Sequence, residues 1–444
     1  MRKSRPLFIV LLALTVFLLS PEPFLQAMPP VQRIVLPNRL ILLVGEDHSL
    51  PFVTLQFLTD SGTRRDPPGK EGLANLTARG LLWGTSKRDL NAIYQELDFM
   101  GASLTSSSGR DYATVTLRVL KKDFDKGLSI LTDVLTQPTF PKDELRREVE
   151  KTLASIQAAE DDPEDVAEKE FLKTLFPNSR YGHPIEGTKE SLKRITREDL
   201  FEFYRRYYHP NNAILVIVGD ITGDEIRSRV LPQFETWPSE KGPEERFVVA
   251  FSDQKKTVKI DRPITQANII LGHRGVSRDN PDYYALTVMN YILGGGGFSS
   301  RLIDEIRVKR GLAYSVASFF DPGRYPGSFQ IVLQTKNASA REAIALSFQE
   351  IERIRKELVS EKELDEAKKY LVGSFPMRMD TQGKLVNFLS QVEYFGLGLN
   401  YPESYPSVIQ AVTRDDVLRV ARTYLHPESI ILVVVANLNE AGLE

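Results

Sequence analysis

The sequence predicts an α+β fold of two homologous domains, each a mainly antiparallel sheet with helices packed on one face. Three observations carry this. Residues 195–222, ITREDLFEFYRRYYHPNNAILVIVGDIT, are matched by residues 412–439, VTRDDVLRVARTYLHPESIILVVVANLN. Strand patterns occur in pairs with helices in series, as expected when helices gather on one face of an antiparallel sheet. The chain of 444 residues is too long for one core, and two copies at that spacing nearly fill it.

The elements follow in order. Residues 1–27 read as a secretory signal: basic Arg2, Lys3 and Arg5, an apolar run from Pro6 to Leu19, then Pro21-Glu22-Pro23 and Leu25-Gln26-Ala27. The apolar run is shorter than the roughly 20 residues that span a bilayer. An uncleaved signal would instead form an N-terminal membrane anchor; either way the body is expected to be exported, periplasmic where a periplasm exists. The first domain is expected over 31–240. It opens on the strand pair RIVLPNRLILLVGE and FVTLQFLT, followed by helices near 70–84, 88–99, 121–136 and 140–160. ASLTSSS and YATVTLRVL form a second strand pair joined by Gly109-Arg110-Asp111. In both repeat copies a Thr N-cap precedes acidic residues, an amphipathic helix, a Tyr-x-His-Pro stop (Tyr207 to Pro210, Tyr424 to Pro427) and a β-branched strand. ETWPSEKGPEERF, residues 235–247, is rich in Pro, Gly and charge and reads as the linker. The second domain, 248–444, repeats the strands as ANIILGHR, AYSVASFF and GSFQIVLQT.

Composition excludes several functions. Net charge is −2, so nothing points to nucleic acid or an anionic membrane surface. Cysteine is absent, which removes disulfides, thiolate zinc sites and cysteine nucleophiles. The five histidines, at 48, 183, 209, 273 and 426, are never three to five residues apart. His209 and His426 stand at equivalent repeat positions before proline, which points to a structural or capping role. The run Gly294, Gly295, Gly296, Gly297 lacks the following Lys-Ser/Thr of a phosphate cradle.

The segment SGTRRDPPGKEGLANLTARGLLWGT, residues 61–85, resembles the signature segment of the pitrilysin and mitochondrial-processing-peptidase family of zinc metallopeptidases. That family's frame encloses His-x-x-Glu-His, in which two His at i and i+4 bind zinc and the Glu activates water. Matched frame to frame, the His positions are Asn75 and Arg79 and the catalytic Glu is Ala78. REVEKTLASIQAAEDDPED, residues 147–165, resembles the segment of the third ligand, whose position falls on Ala154 or Ser155. A member with these residues has no ligand set and no general base, and Arg79 is a fixed cation.

The second half resembles the family elsewhere. LGGGGFSSRLIDEIRVKRGLAYSV, residues 293–316, is similar to its glycine-rich loop and the helix and strand that follow. The resemblance implies that Arg307 and Tyr314 bind substrate backbone near the scissile bond, their donors placed to stabilise an oxyanion. The resemblance therefore implies a processing-peptidase-like fold and a zinc-free subunit, inactive alone. It would form a heterodimer or heterotetramer with a zinc-bearing paralogue, closing over a peptide substrate. The expected cofactor is none in this chain, with zinc in the partner. The alternative is a non-enzymatic scaffold or peptide-binding protein of the same fold. Leu73, Leu76, Gly80 and Leu81 are expected to form the close-packed side of the motif helix.

Overall fold

The computed structural model describes residues 28–240 and 248–444. The expected signal, 1–27, and residues 241–247 of the expected linker lie outside the described residues. The first half contains β1 (Val31–Val35), β2 (Ile41–Glu46), β3 (Phe52–Thr59), α1 (Leu73–Gly80), α2 (Leu90–Met100), β4 (Ser103–Ser108), β5 (Ala113–Leu120), α3 (Phe124–Thr136), α4 (Lys142–Ala159), α5 (Pro163–Leu175), α6 (Arg197–Tyr207) and β6 (Ala213–Gly219). The second contains β7 (Lys256–Asp261), β8 (Gln266–Arg274), α7 (Tyr283–Asn290), β9 (Ala313–Asp321), β10 (Ser328–Lys336), α8 (Ala340–Lys356), α9 (Glu361–Ser374), α10 (Gln382–Tyr394), α11 (Tyr401–Ala411), α12 (Arg414–Tyr424) and β11 (Ile431–Ala436). Among the described residues no helix is long and apolar enough to cross a membrane.

The sheets run β1-β2-β6-β3-β5-β4 and β7-β11-β8-β10-β9. Without the edge strand β1 the two orders are equivalent strand for strand, including one parallel pair in each, β2 with β6 and β7 with β11. The repeat in the sequence is thus a repeat in topology. Its helix starts are built alike: the Thr196 and Thr413 hydroxyls accept from the N–H groups of Asp199 and Asp416, whose carboxylates accept from the cap N–H groups in return. The copies also share a shorter signal absent from the sequence reading. Gly62-Thr-Arg-Arg65-Asp66 after β3 and Gly275-Val-Ser-Arg278-Asp279 after β8 have the same spacing.

Each sheet carries its own half's helices on one face, as expected. The opposite face is covered by a helix from the other half: α10 lies on β6 and β3, and α5 lies on β11 and β8. This explains why the central strands read as unbroken apolar runs. AILVIVG of β6 is buried at every residue, so both faces need cover. By contrast β5 alternates buried with half-buried residues, apart from exposed Arg118, and its Thr114, with Ser107 and Ser108 of β4, lines a groove between the halves, about 680 Å³ in volume.

The Phe171 ring of α5 is fully buried and seated on Gly272 of β8, where a Cβ would come within 2.5 Å of it. Phe171→Ala is expected to cost about 4 kcal/mol. Both tryptophans, Trp83 and Trp237, belong to the core of the first half, whereas Phe171 sits on the second sheet. Because the halves exchange helices, the tryptophan fluorescence transition in urea should shift with the circular dichroism transition. A tryptophan transition that stays in place would show that the halves unfold independently.

Charged groups join the hairpin ends of the two halves. Arg110 pairs with Asp321 at 2.7 Å, and the Arg324 N–H donates to Asp111 Oδ2 at 2.7 Å. The Tyr181 hydroxyl donates to Asp111 Oδ1 at 2.5 Å, and the Tyr394 hydroxyl to Asp60 at 3.1 Å. Burial opposes the charged Asp60 carboxylate, but Arg64 and Arg65 beside it hold it below the usual range.

The His-Pro stop of the second copy is tied to β8 by buried His273, while the His426 side chain itself meets Glu428 at 3.2 Å. The backbone N–H of His426 donates to Nε2 of His273 at 3.2 Å, so the His273 Nδ1–H donates to the Arg274 carbonyl at 2.7 Å. Burial pushes His273 down to about 4 from an ordinary 6.5. Its neutral form is the folded form, so this stability is present above pH 6.5 and lost as pH falls towards 4. The loss is about 3 kcal/mol. Thermal melts should show that loss between pH 6.5 and 4, and His273→Gln should flatten it. An equally steep loss in the variant would assign the effect to other groups.

Candidate functional site

The motif helix α1 is held at its N-terminus by Asp66. Its carboxylate accepts from the N–H of Gly72 at 2.7 Å and of Ala74 at 2.7 Å, meeting two of the donors that a helix start leaves unpaired. Gly72 has φ +94, and a Cβ there would lie 2.5 Å from the Glu186 carbonyl oxygen. Further along, a Cβ on Gly80 would lie 2.8 Å from the Phe140 ring, and the Ser106 hydroxyl of β4 donates to the Ala78 carbonyl at 2.7 Å. Leu73, Leu76, Gly80 and Leu81 are all buried, as expected. The residues that frame the motif are therefore occupied in packing α1 against β4, α4 and α6.

Inside that frame Asn75 and Ala78 are buried and Arg79 is half-buried. The Arg79 guanidinium meets the Glu148 carboxylate of α4 at 2.5 Å. Ala154 and Ser155, further along the same helix, are exposed. The structure thus brings a cation and its counter-ion together where the family pattern has a metal site. No imidazole stands in this segment, the Glu148 carboxylate is held by a permanent cation and that of Asp66 by the helix start, so these residues do not fit a zinc ion. Among the described residues no group of three or more His, Cys, Asp or Glu side chains is placed to hold a metal ion. Glu148 is the residue sequence reading passed over; the signal for it was an acidic side chain facing Arg79 in the segment already aligned with the third ligand.

In the second half the glycine run forms a π-helical turn, Tyr291–Gly295, and a 3₁₀ turn, Gly297–Ser299. A Cβ would meet Ser318 of β9 from Gly294, at 2.5 Å, the Asn290 amide from Gly295, at 2.7 Å, and the Tyr291 carbonyl from Gly296, at 2.7 Å. These three glycines permit close packing of the protein on itself. Gly297, at φ +56, has open space about its Cβ position.

A second π-helical turn, Ile303–Val308, carries Arg307, and Gly311 leads into β9, where Tyr314 is the second residue. Such turns distort a helix locally and recur at functional sites. The spacing of seven brings the pair together: the Arg307 guanidinium lies 5.4 Å from the Tyr314 ring centroid. It also lies 4.9 Å from the ring of Phe298, an exposed side chain of the glycine loop that the sequence reading left out. Tyr314 is 75% exposed and Phe298 71% exposed. Arg307 is half-buried and makes no hydrogen bond or ion pair among the described residues. The arrangement can present a rigid guanidinium fork and a phenol to an acceptor.

Two sheets of equivalent topology, a framed helix whose aligned positions carry no metal ligand and an Arg-Tyr pair beside the glycine-rich loop define a metallopeptidase-like scaffold. The chain belongs to the M16 peptidase family: the model described as insulinase, peptidase family M16, matches residues 42–189, and that of the peptidase M16 inactive domain matches 194–371. It is similar to an uncharacterized zinc protease, SCO5738, of Streptomyces coelicolor, 27% identical over 89% of this chain and 87% of that one. It is also similar to the non-peptidase homolog YmxG of Helicobacter pylori, 27% identical over 97% and 98%. The subunit beta of the mitochondrial-processing peptidase of Blastocladiella emersonii is 25% identical over 92% and 89%. Among solved structures, a peptidase M16 inactive domain from Pseudomonas fluorescens superposes with a TM-score of 0.86 at 29% identity, covering 92% of this chain and 98% of that one.

Proposed function

We propose that this chain is the zinc-free subunit of a two-subunit peptidase, lending Arg307, Tyr314 and the glycine-rich loop to peptide hydrolysis at a zinc site on its partner. The observation that carries the reading is the contrast between the halves. The motif helix keeps its frame and loses every metal ligand, with Arg79 locked to Glu148. The second half keeps half-buried Arg307 beside exposed Tyr314, a pair whose donors have no acceptor among the described residues. A relative named as a processing-peptidase subunit supports pairing as a habit of the family. The relative named a non-peptidase homolog supports the absence of catalysis by the chain alone. The signal-like sequence of residues 1–27 supports a site of action outside the cytoplasm.

Affinity capture of the mature protein from the envelope fraction of its source, with partners identified by mass, tests this reading. A stoichiometric partner carrying His-x-x-Glu-His is expected, with zinc in that partner. Recovery of the bait alone, or only of proteins without the motif, would overturn the two-subunit enzyme. A scaffold or peptide-binding protein would then remain.

A further inference from the structure

The carboxylates around Arg307 are already engaged. Asp304 pairs with Lys309 at 2.8 Å, and Glu305 with Lys309 and Arg310 at 2.5 and 2.6 Å. Glu363 is bound by Arg301 at 2.6 and 3.0 Å. Arg307 itself makes no ion pair among the described residues. The guanidinium lies between the Phe298 and Tyr314 rings, a cation–π arrangement that favours this placement.

From this geometry we propose that the Phe298–Arg307–Tyr314 cluster is a carboxylate-binding subsite, so that the chain favours peptides bearing an acidic group at the bound position. The inference rests on the peptide-binding reading above and adds a substrate class to it. A planar carboxylate accepts two parallel N–H bonds from the fork, and a neutral peptide carbonyl offers one oxygen. The Tyr314 hydroxyl is a further donor at the same surface. Phe298 is a positioning residue: it touches the guanidinium and orients it. The acidic group has two sources, the C-terminal α-carboxylate of a peptide or an Asp or Glu side chain.

The test uses the mature full-length protein and three fluorescent decapeptides of otherwise identical sequence: a free C-terminal acid, a C-terminal amide, and the amide with one internal Glu. Anisotropy titrations give each Kd. At least one acidic peptide should bind about 10-fold tighter than the neutral amide. Preference for the free acid alone assigns the α-carboxylate, and preference for the Glu peptide assigns the side chain. Arg307→Ala should abolish the preference, Arg307→Lys should retain part of it, and Phe298→Ala should reduce it several-fold while circular dichroism stays unchanged. Equal Kd for all three peptides, or a preference that survives Arg307→Ala, would overturn the subsite. Equal affinities that fall together in Arg307→Ala would overturn it while leaving the backbone-binding role of Arg307 standing. Absence of binding by every peptide would overturn both.

Discussion

Replacing Arg307 with alanine is expected to lower kcat/KM of the reconstituted two-subunit peptidase about 100-fold, the scale seen when one preorganised oxyanion donor is removed. Assembly of the pair should be unchanged, because the Arg307 side chain makes no hydrogen bond or ion pair among the described residues and touches two exposed rings. Tyr314→Phe keeps the stacking ring and removes the hydroxyl, so it should cost about 10-fold. Size-exclusion chromatography of the mixed subunits separates lost assembly from lost turnover. Unchanged turnover with either variant would remove that residue from the chemistry and leave the surface with a docking role alone.

Asp66→Ala is expected to destabilise the first half by about 3 kcal/mol, since it strips the acceptor from two buried N–H groups at the start of α1. Asp66→Asn keeps one acceptor oxygen and should lose about half as much. Gly72→Ala should cost at least as much as Asp66→Ala, because its φ of +94 is strained for alanine and the Glu186 carbonyl blocks the new Cβ. Urea unfolding followed through Trp83 and Trp237 reports directly on this core. A midpoint unmoved by Asp66→Ala would mean that α1 is held by side-chain packing without its cap. The frame of the motif would then serve something other than capping.

The motif helix shows how far a linear reading reaches. Asn75, Ala78 and Arg79 declare the missing ligands outright, since side-chain chemistry is a property of the residue and needs no partner. The reason for keeping the frame was less legible. Asp66 stands six and eight residues before the N–H groups it accepts from, and its role depends on how the intervening loop folds. Arg79 in sequence is a charge on a helix. Its partner Glu148 lies on another helix, and only packing brings the two within 2.5 Å.

The glycine loop makes the same distinction. The spacing of Arg307 and Tyr314 could be read directly, because it belongs to one continuous segment. Phe298 could not, because its meeting with the guanidinium follows from two π-helical turns that change the angle at which the side chains emerge.

By itself the sequence determined the repeated topology, the central buried strands, the helix caps and the absence of a zinc ligand set. These follow from local periodicity, capping chemistry and residue identity. The tertiary structure decided which helix covers which sheet. The apolar faces of β6 and β11 demand cover, but any amphipathic helix satisfies that demand equally in sequence. The exchange of α5 and α10 between the halves is set by shape, down to the Phe171 ring that fits over Gly272. The tertiary structure also decided that Arg79 would be neutralised and Arg307 left free, because the pairing of charges depends on distance across the fold.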